Sequence, residues 1–225
     1  MLGPADQLTL ARLVLAPLAV ASYLLVPLDG GLCFWVTGII CGIAELTDWL
    51  DGRVARARGE VSDFGKLADP FCDVFYRIAL FVVMLLPANG LAYPVAESGG
   101  VNVLTTPLTF ALADGSYARG FFPFVPVLIM VLREVVAGAL RSMSATKGLV
   151  LAARMSGKVK AWFQGTLIVT ALGLPAVFGM HDWHLEFTSI ACWVCAALSA
   201  GSMIEYIWVN RPTLSQLVER RARDN

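Results

Sequence analysis

The chain has 225 residues, 57% of them hydrophobic and 15% charged, with 17 Lys+Arg against 17 Asp+Glu, and its mean hydropathy is +0.69. That charge fraction is well below the roughly 25% of soluble domains; the high hydrophobicity excludes disorder, and a net charge of zero leaves no basic excess for a soluble nucleic-acid binder. An integral membrane protein remains.

Six apolar runs reach or approach transmembrane length: residues 8–28, 31–49, 66–87, 121–142, 160–180 and 187–209. They predict an all-α bundle of six transmembrane helices forming a single domain over residues 1–225, with no internal repeat. The first run has no basic n-region and no small-residue cleavage site, so it is not expected to be a cleavable signal peptide. Asp29-Gly30-Gly31 makes a tight turn before the second run, which becomes polar at its C-terminal end, as the fourth also does. The 88–120 connection is long and rich in Gly, Pro, Ser and Thr; its middle, Val101 to Ala113, fits an interfacial helix, a strand or a loop equally well. His181 and His184 lie three residues apart in a short loop beside Trp183, which suits a wet interfacial pair better than a shared metal ion. Cys33, Cys41, Cys72, Cys192 and Cys195 all fall in apolar stretches. They read as small buried thiols, the C-x-x-C pair included.

The basic residues orient the bundle. Arg53, Arg56, Arg58, Arg141, Lys147, Arg154, Lys158, Lys160, Arg211, Arg220, Arg221 and Arg223 fall in or beside segments that six crossings put on one side. Arg119 alone is basic on the other. The positive-inside rule then places both termini in the cytoplasm.

Acidic side chains at membrane depth are costly and call for a reason. Asp48 and Asp51 end the second run as an i,i+3 pair; Asp69 and Asp73 open the third as an i,i+4 pair. Each pair shares one helix face. Because the second run heads inward and the third outward, both pairs reach a similar depth near the cytoplasmic interface. Four carboxylates so placed repel unless cations lie between them, and all-oxygen ligation suits hard ions such as Mg²⁺ or Mn²⁺. Two such ions can clamp a pyrophosphate. The competing reading is four separate interfacial acids, each paired with a nearby Arg or Lys. Gly52 and Gly65 leave room for a ligand, Ala55 is small, and Arg56 can grip a phosphate bidentately. Small residues also serve plain helix packing.

The full string, Asp48-x2-Asp51-Gly52-x2-Ala55-Arg56-x8-Gly65-x3-Asp69-x3-Asp73, resembles the signature of the CDP-alcohol phosphatidyltransferases at all eight fixed positions. The resemblance implies a six-helix membrane enzyme, usually a homodimer, with a cytoplasm-facing polar cavity. It implies that Asp48, Asp51, Asp69 and Asp73 hold two divalent cations, Mg²⁺ or Mn²⁺, with Asp73 also the general base. By the same resemblance Gly52, Ala55, Arg56 and Gly65 surround the CDP moiety. An acceptor hydroxyl would attack the β-phosphorus of a CDP-linked lipid and release CMP.

The acceptor is read from residues 133–160. Arg133-Glu134-Val135-Val136-Ala137-Gly138-Ala139-Leu140-Arg141 and Gly157-Lys158-Val159-Lys160 resemble the fourth and fifth helices of phosphatidylglycerophosphate synthases. Arg133, Arg141, Lys158 and Lys160 then fit the phosphate of sn-glycerol 3-phosphate, the alternative being anchors that snorkel to lipid headgroups. The implied reaction joins CDP-diacylglycerol to glycerol 3-phosphate in phospholipid synthesis, in a membrane expected to be the bacterial inner one. Two features depart from the pattern: Ala5-Asp6 replaces the usual Pro-Asn before Leu8-Thr9-x-x-Arg12, with Asp6 a potential helix cap, and the 88–120 segment is long. A relative using inositol phosphate, inositol or serine is the next reading. From another class, intramembrane acids also suit a divalent-cation transporter, although these acids cluster at one depth rather than along a path. Glu134 and Glu205 are left without a role.

Overall fold

Six long helices carry most of the described chain: α1 (Pro4–Leu25), α2 (Leu32–Arg58), α3 (Asp63–Val83), α4 (Phe124–Thr146), α5 (Met155–Phe178) and α6 (Asp182–Arg223). Between α3 and α4 come two strands, β1 (Pro107–Ala111) and β2 (Tyr117–Pro123). The computed structural model describes residues 4–27, 29–58, 63–89, 106–111, 113, 117–146 and 155–223; at 4–6, 30, 48–49, 51–58, 63–70, 145–146, 182 and 216–223 it describes backbone alone.

Local sequence explains most of the boundaries. Pro4 opens α1, as proline can in a first turn where its missing N–H costs nothing, so Asp6 lies inside the helix and is not its cap. Gly179 ends α5 in the left-handed region at φ 76°, and its N–H donates to Pro175 O at 3.0 Å, closing a carbonyl the helix would otherwise leave open. α4 starts at Phe124, three residues later than the apolar run suggests, because Phe121, Phe122 and Pro123 finish β2.

The helices alternate in direction. Ser22 Oγ and Thr37 Oγ1 meet at 2.8 Å, joining the end of α1 to the start of α2. The Tyr76 hydroxyl donates to Cys41 O at 3.3 Å and fixes α3 against α2. α1 packs on both α2 and α3, α6 packs on α4 and α5, and α5 joins the two groups through α2. Small buried residues such as Ala16, Ala19, Ala44, Ala171 and Ala196 let these backbones approach. Outward stand large apolar side chains, among them Leu18, Ile39, Phe75, Leu132, Val169 and Ile190.

One end of the bundle is closed by the β1–β2 hairpin, paired antiparallel with Thr109 opposite Arg119. The strand reading of the 88–120 connection therefore holds for residues 107–111. The Phe121 and Phe122 N–H groups donate to Met84 O at 2.9 and 3.3 Å. Phe121 packs edge-on against Phe34 with centroids 5.7 Å apart, and Phe122 lies 5.4 Å from Phe81. Gly120 is required here, because a Cβ at that position would lie 2.2 Å from Leu85 O.

At the same end His184 is fully buried rather than wet. The His181 N–H donates to its Nδ1 at 3.2 Å, which makes the pair a turn that starts α6. All five cysteines are buried free thiols.

Among the described residues three helices are long and apolar enough to cross a membrane, within Gln7–Leu25, Met155–Phe178 and Trp183–Ser215, and Leu32–Thr47 is a shorter apolar helix. α4 falls short because any membrane-length stretch from Phe124 takes in Arg133, Glu134 and Arg141. These charges gather at the end of the bundle opposite the hairpin.

Candidate active site

The charged end is built from five helices. On α3, Asp73 lies 2.9 Å from Arg77 through its Oδ1 and Arg77 Nε, an i,i+4 pair. The same Oδ1 lies 4.0 Å from Nη1 of Arg12, which α1 buries almost completely at 1% exposure. Both arginines therefore address one oxygen of a carboxylate that is 32% exposed. Arg77 also donates through Nη1 to Ala161 O on α5 at 3.1 Å. On α2, Glu45 is within electrostatic reach of Arg77, Asp73 and Arg12. A Cβ at Gly165 of α5 would lie 3.9 Å from Glu45 Oε1.

A second group sits beside the first. Glu134 of α4 is 5% exposed. Its Oε2 accepts from Arg133 Nη1 at 3.1 Å, and its Oε1 is ion-paired with the buried Lys160 of α5. Arg133 reaches on to α6, donating through Nε to Ser202 Oγ at 3.2 Å. Arg77, bonded to Ala161 O next to Lys160, stands between the two groups. Two cations on one carboxylate leave the second group with a net positive charge. In low dielectric such a surplus attracts an anion strongly.

The residues singled out in the sequence fall into three sets. Arg133 and Lys160 are brought together by Glu134, which thereby acquires a structural role. Arg141 and Lys158 are exposed; Arg141 Nε donates to Ala137 O of its own helix at 3.3 Å. Asp73 stands between Arg12 and Arg77. Asp48, Asp51, Gly52, Ala55 and Arg56 lie on the backbone of α2, and Gly65 and Asp69 on that of α3, but their side chains are outside the described residues. Among the described residues no group of three or more metal-ligating side chains occurs.

The helical backbone nevertheless sets a register. Cys41 is level with Tyr76; seven residues, or ~10 Å along an antiparallel axis, carry α2 on to Asp48 and α3 back to Asp69. Glu45 and Asp73 come one turn nearer the bundle centre. Glu45 and Arg77 had a visible signal: each is a charge inside an apolar run, three residues before Asp48 and four after Asp73.

Comparison with known proteins decides the family. The model of the CDP-alcohol phosphatidyltransferase family matches residues 3–200. The chain belongs to this family. It is 26% identical to the CDP-diacylglycerol–glycerol-3-phosphate 3-phosphatidyltransferase of Haemophilus influenzae, over 92% of each chain. It is 28% identical to the protein of the same name from Bacillus subtilis, over 91% of this chain and 93% of that one. Among solved structures it is similar to the apo form of phosphatidylinositol phosphate synthase from Mycobacterium tuberculosis, with TM-score 0.52 and 18% identity over 89% of this chain and 88% of the other. That likeness concerns the fold of a CDP-alcohol phosphatidyltransferase and leaves the acceptor to the site itself.

Proposed function

We propose that the protein transfers a phosphatidyl group from CDP-diacylglycerol to sn-glycerol 3-phosphate, releasing CMP and forming phosphatidylglycerophosphate. The observation that carries this reading is one juxtaposition. The last aspartate of an intact signature, Asp73, adjoins a buried group in which Arg133 and Lys160 outnumber Glu134. Relatives of similar length that bear the glycerol-3-phosphate name support the choice of acceptor.

In this reading all six long helices cross the membrane, with both termini and the charged end facing the cytoplasm, and the protein works as a homodimer in a bacterial inner membrane. Arg133, Arg141, Lys158 and Lys160 draw the acceptor's phosphate. Gly52, Ala55, Arg56 and Gly65 line the CDP moiety. Asp73 takes the proton of the acceptor hydroxyl as that oxygen bonds to the β-phosphorus; the bond to the CMP oxygen breaks, and CMP leaves with the electron pair.

The donor chemistry fits divalent cations. Asp48, Asp51, Asp69 and Asp73 offer carboxylate oxygens from two adjacent helices, and both arginine contacts to Asp73 fall on Oδ1. Two Mg²⁺ or Mn²⁺ ions held there would neutralise charge developing on the phosphoryl oxygens. A cation-transport path would need polar groups at both ends. Here the ion pairs among the described residues all lie at one end, and an aromatic hairpin closes the other.

The deciding assay uses purified protein in detergent with CDP-diacylglycerol, Mg²⁺ or Mn²⁺, and a panel of acceptors, following CMP release. Release with glycerol 3-phosphate is expected. Release only with inositol phosphate, inositol or serine would overturn the acceptor, and no release with any of them would overturn the reaction.

A further inference from the structure

Arg77 and Glu45 belong to none of the groups that the signature or the acceptor site accounts for, yet they occupy its centre. Arg77 bridges two helices: its Nε is 2.9 Å from Asp73 Oδ1 on its own helix, and its Nη1 bonds Ala161 O on α5 at 3.1 Å. Glu45 approaches α5 one turn further along, at Gly165. Ala161 and Gly165 are themselves i and i+4, so both side chains converge on one face of α5. Even a Cβ at Gly165 would only touch the Glu45 carboxylate at an ordinary 3.9 Å, so the two groups lie side by side. An arginine 12% exposed at membrane depth is costly without such partners. Held through Nη1 by a backbone carbonyl, its guanidinium keeps a positive charge at a fixed place beside Asp73 Oδ1, where a lysine would be less well anchored.

We propose that Arg77, anchored on Ala161 O and charge-balanced by Glu45 nearby, is a positioning residue that holds the Asp73 carboxylate by Oδ1 and so turns Oδ2 toward the reacting groups. The inference rests on the reading of Asp73 given under Proposed function. A proton acceptor must stand within hydrogen-bond reach of its proton, and a displacement of about 1 Å can cost about 100-fold in rate. Arg77 touches no substrate in this account. Its effect passes through Asp73, and that of Glu45 through Arg77.

The test compares wild type, Arg77→Lys, Arg77→Met, Glu45→Gln and the Glu45→Gln/Arg77→Met double variant, as full-length protein in detergent. Four quantities are read: kcat for CMP release, KM for glycerol 3-phosphate, the Kd of Mn²⁺ alone by electron paramagnetic resonance, and the thermal midpoint. Arg77→Met is expected to lower kcat about 10- to 100-fold while KM and the Mn²⁺ Kd move less than about threefold. Arg77→Lys should recover part of that loss. Glu45→Gln, nearly isosteric, should lower kcat about three- to tenfold at an unchanged midpoint, and the double variant should fall no further than Arg77→Met.

Wild-type kcat in Arg77→Met would overturn the proposal, as would losses that multiply in the double variant. A raised KM at unchanged kcat would make Arg77 an acceptor ligand instead, and a Mn²⁺ Kd shifted more than about tenfold would place it among the metal-holding groups. Should Arg77→Met not fold, Glu45→Gln alone decides, and full activity there overturns the proposal. Wild type inactive with every acceptor removes the underlying reading, whereas active wild type with an active Arg77→Met variant removes only this one.

Discussion

Asp73 has its geometry set by two arginines from two helices, and both reach the same oxygen. Asp73→Asn keeps the shape and hydrogen-bonding reach of the side chain but removes its capacity to accept a proton. We expect kcat to fall about 10²- to 10⁴-fold, with the Kd for CDP held within about threefold by titration; equal losses in both would argue against a base. Glu134 makes a different kind of contribution. It is 5% exposed and is the counter-charge shared by Arg133 and the buried Lys160. Glu134→Ala leaves those cations in low dielectric without a counter-charge, and breaking a buried pair by deleting one partner costs about 3–5 kcal/mol. The thermal midpoint in detergent should fall accordingly, and Glu134→Ala/Lys160→Met should recover much of the loss. A single variant as stable as wild type would show that the pair is well solvated.

These residues were unevenly legible in the sequence. The four aspartates stand out because acids at membrane depth are rare. Glu45 and Arg77 obey the same rule, but lie outside the motif and take their meaning from α5, more than eighty residues away in the chain. Lys160 and Arg133 were legible as cations of the inner face. Nothing in their spacing says that Glu134 holds them.

Among the elements, α1, α5 and α6 follow from hydrophobic length alone, whereas α2 and α4 carry the site at their polar ends and so look short by hydropathy. The hairpin escaped because its strands are brief and its partner is a bare carbonyl, Met84 O, exposed where α3 unwinds. Paired backbone of this kind is tolerated deep in a membrane protein only where it is buried against protein. Gly120 is its tightest point. Gly120→Ala would set a methyl 2.2 Å from Leu85 O, and the hairpin must shift at a cost of about 1–3 kcal/mol. The reaction groups lie at the other end, so a lower thermal midpoint with kcat retained is expected. Gly157→Ala is the contrast: its new Cβ would meet Arg133 Nη2 at an ordinary 3.7 Å, and a helical Gly→Ala change gains up to about 1 kcal/mol. A midpoint lowered equally by both would mean that the close approach at Gly120 is not what holds the hairpin.

At the scale of the whole molecule, aromatic residues mark two boundaries. Trp183 and Trp208 are both exposed on α6. Twenty-five residues of helix separate them by ~37 Å, close to a hydrocarbon core of ~30 Å plus its interfaces. Arg211 lies 4.6 Å over the Trp208 ring, where a cation would sit at headgroup level. On α2 and α5, exposed Trp35 and Trp162 repeat the pattern near the hairpin end and the charged end respectively.

In the proposed topology the charged site falls just inside one interface, within reach of a water-soluble acceptor and a lipid donor together, and the positive-inside rule predicts that this interface faces the cytoplasm. The native cysteines are all buried, so wild type serves as an unreactive background for added thiols. Ser142 is exposed near the charged end, and Ala113 is exposed beside the hairpin. In intact spheroplasts a membrane-impermeant maleimide should label Ala113→Cys directly, and Ser142→Cys only after permeabilisation. The reverse pattern would put the site on the outer face, where a cytoplasmic supply of CDP-linked lipid would not meet it. Labelling of both from outside would mean that the charged end is not separated from the hairpin by the bilayer at all.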